Sequence, residues 1–253
     1  MSARRGPLAV LALGVAGVTV LLVRAIGGLP DFGETPHPYG ARAVAAAVAH
    51  HTANAVASLT FDQRGFDTMG EEFLLFAAAT AAVMLLRRMG DEDEAEAEHH
   101  YGREDVFGAV RLTGTAYLPF TLLVGCYVVA HGHLTPGGGF QGGVVLATGV
   151  HLLYLAGDYR VLERLRPMRL FDLTESIGAV GFLVVGLTGL FASGSFLSNW
   201  LPLGRFNRLL SAGTVPLLNV LVGLEVGSAM VLLLARFLDQ ALLVRREGED
   251  ADA

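Results

Sequence analysis

His131-Gly-His-Leu-Thr-Pro-Gly-Gly-Gly-Phe-Gln-Gly-Gly143 stands between two apolar runs long enough to cross a bilayer. Leu112 to Ala130 precedes it without a charge, and Gly138 to Gly157 follows with no Asp, Glu, Lys or Arg and with His151 as its one histidine. Inside hydrocarbon an unpaired backbone amide costs several kcal/mol. A glycine-rich connector at this point must therefore lie at the membrane surface or be enclosed by protein. The flanking runs make this a membrane protein, all-α, a polytopic integral membrane helical bundle.

Composition points the same way. Of 253 residues, 53% are hydrophobic and 17% are charged, whereas a soluble domain carries about 25%. All 18 basic residues are Arg, and the net charge of −6 gives no reason to expect a nucleic-acid partner. The lone Cys126 cannot form an internal disulfide and reads as a small core hydrophobe.

Outward from the connector, about six spans emerge. A crossing needs roughly 20 apolar residues. The other runs are Pro7 to Val23, Phe73 to Leu86 (completed by Thr68 to Glu72), Ser176 to Gly204, and Leu209 to Ala235 with Glu225 inside it. Ala43 to Phe61 is Ala- and Val-rich but holds His50, His51 and Asn54. It reads as an interfacial amphipathic helix or as a seventh span. Arginine placement favours six spans with both termini cytoplasmic. Arg4, Arg5, Arg87, Arg88, Arg103, Arg111, Arg160, Arg164, Arg166, Arg169, Arg236, Arg245 and Arg246 then lie inside. Arg24, Arg42, Arg64, Arg205 and Arg208 lie outside. The first run reads as an uncleaved anchor rather than a signal peptide, being long and lacking an obvious small-residue cleavage site. The expected organisation is a two-span module over 1–90, an acidic cytoplasmic linker over 91–106, a four-span domain over 107–240 and a polar tail over 241–253.

Several residues within this frame are candidates for chemistry. In the connector, Pro136 sets the chain entry. Gly137, Gly138, Gly139, Gly142 and Gly143 permit close backbone approach, and Gly139 and Gly143 are spaced for a neighbouring helix. Phe140 and Gln141 would be displayed on that scaffold. The stretch from Thr135 lacks the Lys-Ser/Thr ending of a phosphate loop. His131 and His133 read as a polar cap at the interface, since two ligands do not complete a metal site. Glu225 lies mid-span, where a carboxylate costs roughly 2.5–3.5 kcal/mol, so it should face protein or water. It points away from the Gly223 and Gly227 stripe. His151 is expected at similar depth, and a contact with Glu225, direct or through water, is one reading. Separate partners for each is the other. Asp172 and Glu175 have the spacing of a helix cap and its acid, with a proton-path role as the alternative. Glu71 and Glu72 open their span in the same manner. No Ser-His-Asp set, cysteine cluster, dinucleotide fingerprint or haem motif is seen, so no cofactor, metal or enzymatic activity is expected.

The region from Leu112 to about Leu238 resembles the MnhB subunit of the Mrp (Mnh) multisubunit Na+/H+ antiporter. The resemblance rests on the connector, on Phe171-Asp-Leu-Thr-Glu-Ser-Ile-Gly-Ala179 and on Asn219-Val-Leu-Val-Gly-Leu-Glu-Val-Gly227. Thr52-Ala-Asn-Ala-Val56 and Phe61-Asp-Gln-Arg-Gly-Phe-Asp-Thr-Met-Gly-Glu71 resemble the C-terminal tail of the MnhA subunit, with Arg64, Gly65, Phe66 and Asp67 as an outer-loop motif. A similar tail occurs in membrane-bound hydrogenases. The resemblance implies a cell-membrane accessory subunit of a cation/proton antiporter. It implies antiporter-like large subunits and small membrane subunits as partners, lipid around it, and Na+ and H+ as the transported ions. The alternative it carries is a subunit of a membrane hydrogenase or related ion-pumping respiratory complex.

Overall fold

The computed structural model describes residues 5–29, 38–86, 108–156 and 168–251. They form helices α1 (Arg5–Gly27), α2 (Pro38–Ala49), α3 (Ala55–Ser58) running into a π-helical turn (Leu59–Gln63), α4 (Gly65–Leu85), α5 (Gly108–Ala130), α6 (Gly139–Leu155), α7 (Met168–Ser193) and α8 (Val215–Ala251). The linker residues 91–106, with Arg4, Arg87, Arg88, Arg103, Arg160, Arg164 and Arg166, lie outside the described residues. Residues 1–41 and 42–253 are separate compact units. The first contains α1, whose apolar stretch Val10–Gly27 is long enough to cross a membrane.

In the second unit, α4, α5, α7 and α8 are likewise long and apolar enough to cross. Helix α6 has 17 residues, the lower end of the range that spans a bilayer. The chain is thus a multi-pass membrane protein. Helix α2 has 12 residues, about 18 Å at 1.5 Å per residue, too short to cross. It stops at His50 and His51, and His51 has φ +55°. The doubtful segment 43–61 is therefore two short helical pieces rather than a seventh span.

Helix α8 is the hub and packs against α4, α6 and α7. Its apolar side, Val215, Leu218, Val222 and Val226, meets Phe182, Val185 and Leu197, while Phe61 of the π-helical turn lies 6.4 Å from Phe182, ring to ring. A smaller cluster joins Ala147, Val150 and Leu153 of α6 to Val231 of α8. Between helices in lipid, close packing replaces the hydrophobic drive, so small residues sit at the crossings. At the α6–α8 crossing a Cβ on Gly143 would stand 2.9 Å from the Gly227 nitrogen and 3.0 Å from the Gly223 oxygen.

Several boundaries differ from the hydropathy reading. Helix α7 ends at Ser193, where Gly194 takes φ +80° and its N–H bonds Leu190 O at 2.9 Å, a left-handed stop. The uncharged run continues past that stop into an ordered loop, 194–214, because hydropathy cannot register a backbone reversal. Asn199 holds the loop: its Nδ2 donates to Ala212 O (3.1 Å) and its Oδ1 accepts from the Thr214 N–H (2.7 Å). Helix α7 also begins earlier than Asp172, at Met168. Asp172 and Glu175 are therefore not a cap pair; Asp172 is exposed and Glu175 is buried. Glu71 and Glu72 likewise do not open α4, which starts at Gly65. Gly65, Phe66 and Asp67 form its first turn instead of a loop, with Arg64 paired to Asp67 just ahead of it. Residues 241–251 continue α8 as helix.

Candidate functional site: a braced connector over buried carboxyls

The connector 131–138 turns the chain from α5 into α6. Gly137 and Gly138 both have φ +136°, and Gly138 has ψ −165°. This backbone region is essentially closed to residues with a Cβ. Gly138 also lies against Asn219 of α8: a Cβ there would stand 2.7 Å from Asn219 Oδ1. That oxygen accepts the Gly139 N–H at 2.9 Å, while Asn219 Nδ2 donates to Val215 O at 3.0 Å. Gly138 occupies the capping position of α6 and has no side chain. Asn219, wholly buried, supplies the missing cap from another helix. Pro136 and Gln141 are exposed. Phe140, expected on display, is half-buried against the main core, because the first turn of α6 lies along α8.

Asn54 braces the connector from the other side. Its Nδ2 donates to Gly132 O (2.7 Å) and Thr135 O (2.9 Å), and its backbone N–H bonds His133 O (3.0 Å). Its Oδ1 accepts the Val56 N–H at 3.0 Å and so caps α3. His51 Nδ1 reaches Gly204 O at 2.8 Å, and the ring of His133 lies beside the Arg208 and Leu209 backbone. Segment 42–64, the connector and loop 194–214 thus meet at one end of the bundle. Sequence reading named neither Asn54 nor Asn219 as a site residue. Their signal was a polar amide within an otherwise apolar or helical stretch.

The two connector histidines part company. His131 stacks on Tyr127, with ring centroids 4.1 Å apart, and its Nδ1 lies 3.0 Å from Tyr127 O. His133 is fully buried rather than a surface cap, since the 194–214 loop covers it. Burial holds its pKa below the usual 6.5. An unfolded chain gains a proton below about 6.5 that the folded ring resists. The His133 contribution is therefore complete above that pH and declines as pH falls toward the lowered folded value. The detergent-solubilised protein should show a lower melting midpoint at pH 5.5 than at pH 7.5. His133→Gln should narrow that difference; an unchanged pH difference in the variant would remove His133 as its source.

Beneath this end lie three buried acids. Glu225 is 0% exposed and Glu72 1%. They face each other, side chain to side chain, across the α4–α8 contact. No donor among the described residues reaches either carboxyl. Glu175 of α7 lies on the Glu225 side, and its Oε1 is also buried with no hydrogen-bond partner among the described residues. Helix α7 approaches closely here: a Cβ on Gly178 would stand 2.6 Å from Glu225 Cβ. The expected His151–Glu225 contact is not made directly. His151 is half-buried beside the Met230 backbone, while Glu225 is turned to α4. Glu72, expected to open its span, is instead buried in α4 with Gly65, Thr68 and Ala79; the missed signal was that these four positions fall on one helical stripe.

Fold and site together define a helical membrane-bundle protein with acids buried between its helices and a bonded turn at one end. A family model described as a domain related to the MnhB subunit of Na+/H+ antiporter matches residues 109–232. The chain is 30% identical over 198 residues to an uncharacterized protein of Methanocaldococcus jannaschii, covering 68% of this chain and 72% of that one. It is 28% identical over 209 residues to a probable K+/H+ antiporter A/B subunit of Rhizobium meliloti, covering 72% of this chain but 20% of the relative. Among solved structures it is similar to a chain of the membrane-bound sulfane sulfur reductase, an archaeal respiratory membrane complex. There the TM-score is 0.66 at 31% identity, covering 92% of this chain and 97% of the other. The chain belongs to the MnhB-related family of membrane proteins.

Proposed function

We propose that this chain is an accessory membrane subunit of a multisubunit Na+(cation)/H+ antiporter, required for its assembly and ion exchange, and is not an enzyme. The observation that carries this reading is Asn54. It lies in the segment that resembles the MnhA tail, and its amide bonds the connector of the part that resembles MnhB. In separate subunits those would be contacts between chains. The similarity to an A/B-type antiporter protein over 72% of this chain favours the same arrangement. Both termini are placed in the cytoplasm by the arginine count, with the braced end outward in the cell membrane. In this reading the connector, from His131 through His133, Thr135 and Pro136 to Gly143, is a docking surface. Glu225 and Glu175 contribute to an ion path, and His151 joins α6 to α8.

A second reading is favoured by the respiratory-complex neighbour, 97% of whose chain is covered: the same bundle as a membrane subunit of an ion-pumping respiratory complex. Affinity purification from native membranes in mild detergent separates the two. Co-purifying antiporter-like large subunits support the first reading. Partners bearing redox centres support the second, and recovery of a lone chain excludes both. Deleting the gene for this chain should abolish cation/proton exchange in everted vesicles; unchanged exchange would count against the first.

A further inference from the structure

We infer that Glu72 and Glu225 form one two-carboxyl site, which holds a single proton and exchanges it for a monovalent cation of the Na+ or K+ class. This rests on the ion-exchange reading and names the residues that bind. Two carboxylates in one buried place cannot both stay ionised without a compensating charge. Two further carboxyls stand by the pair, Glu71 on α4 and Glu175 on α7, and no donor among the described residues reaches the Glu72 or Glu225 oxygens. What fills the gap between Glu72 and Glu225 must therefore be a proton or a cation from outside.

The two occupied forms balance. With one proton, the pair is a carboxylic acid bonded to a carboxylate, net charge minus one. With a monovalent cation, it is two carboxylates around one positive charge, again minus one. The step breaks one carboxyl O–H bond, sends the proton to water or to Glu175, and seats the cation between the freed oxygens. No net charge enters or leaves the buried site. A divalent ion would change the site charge from minus one to zero, whereas a monovalent cation leaves it as the proton does. Glu225 lies about 15 Å along α8 from Val215 at 1.5 Å per residue, near the middle of the bilayer core. Glu175, whose Oε1 has no partner among the described residues, is the next acid toward the opposite end of the bundle.

The test uses the assembled complex in native membranes and dicyclohexylcarbodiimide, which modifies protonated carboxyls in apolar surroundings. Mass spectrometry should find the adduct on Glu72 or Glu225. NaCl or KCl should suppress it several-fold relative to choline chloride at equal ionic strength. An absent adduct, one insensitive to both cations, or protection by divalent ions alone would overturn the site. Glu72→Gln and Glu225→Gln each keep a hydrogen bond to the remaining carboxylate but have no proton to release. Each variant should assemble with its partners and lose at least tenfold in exchange. Assembled variants that exchange at the wild-type rate overturn the site and leave the accessory-subunit reading standing. If no partners co-purify, that reading fails while the labelling still decides the pair.

Discussion

Gly138→Val should prevent stable assembly, seen as loss of co-purifying partners and reduced recovery of folded protein from membranes. Two costs combine. Valine cannot adopt φ +136° with ψ −165° without strain of about 1–3 kcal/mol. Its Cβ would also fall 2.7 Å from Asn219 Oδ1, the oxygen that caps α6 through Gly139. Displacing it adds an overpacking cost of about 1–3 kcal/mol and frees a buried amide. The sum is a large part of the stability of a typical domain. Gly70→Ala is the control, since a Cβ there meets nothing within 4 Å. Normal assembly of Gly138→Val would show that the turn does not depend on this backbone conformation.

Asn54→Ala should release the front segment from the connector. It removes the two Nδ2 donors held by Gly132 and Thr135 and the α3 cap to Val56. At about 1 kcal/mol for each bond, the loss is roughly 2–4 kcal/mol. Hydrogen exchange should rise over 55–63 and 132–139 together, with little change in the lower part of α8. Asn54→Asp should be at least as damaging, because a carboxylate would face two carbonyl oxygens in place of a donor. Wild-type protection in the Asp variant would mean that the amide does not join the two parts.

The site was legible unevenly. Glu225 stood out as an acid within an apolar run, and its rotation away from Gly223 and Gly227 followed from helical geometry. Gly143 now lies against Gly227 while Glu225 faces α4. Its companion was misjudged. Glu72 follows Glu71 near the start of an apolar run, where an acid reads as a helix-end residue. The helix instead begins at Gly65 and carries Glu72 inward as its second turn forms. His151 had the expected depth along its helix but not the expected neighbour, because depth fixes one coordinate and contact also needs azimuth. Asp172 and Glu175 matched a cap spacing four residues inside a helix that starts at Met168.

Membrane character, the approximate span count and the need for a tight glycine turn at 131–143 were determined by sequence alone. Each depends on local quantities: apolar length, backbone hydrogen bonding and the absence of a Cβ. Tertiary structure alone decided that Asn219 caps α6, that Asn54 holds the connector, and that Glu225 meets Glu72. Those pairings depend on how helices distant in the chain rotate and cross, and many rotations satisfy the same apolar pattern. The side-chain packing of α4, α6 and α7 on α8 selects one of them.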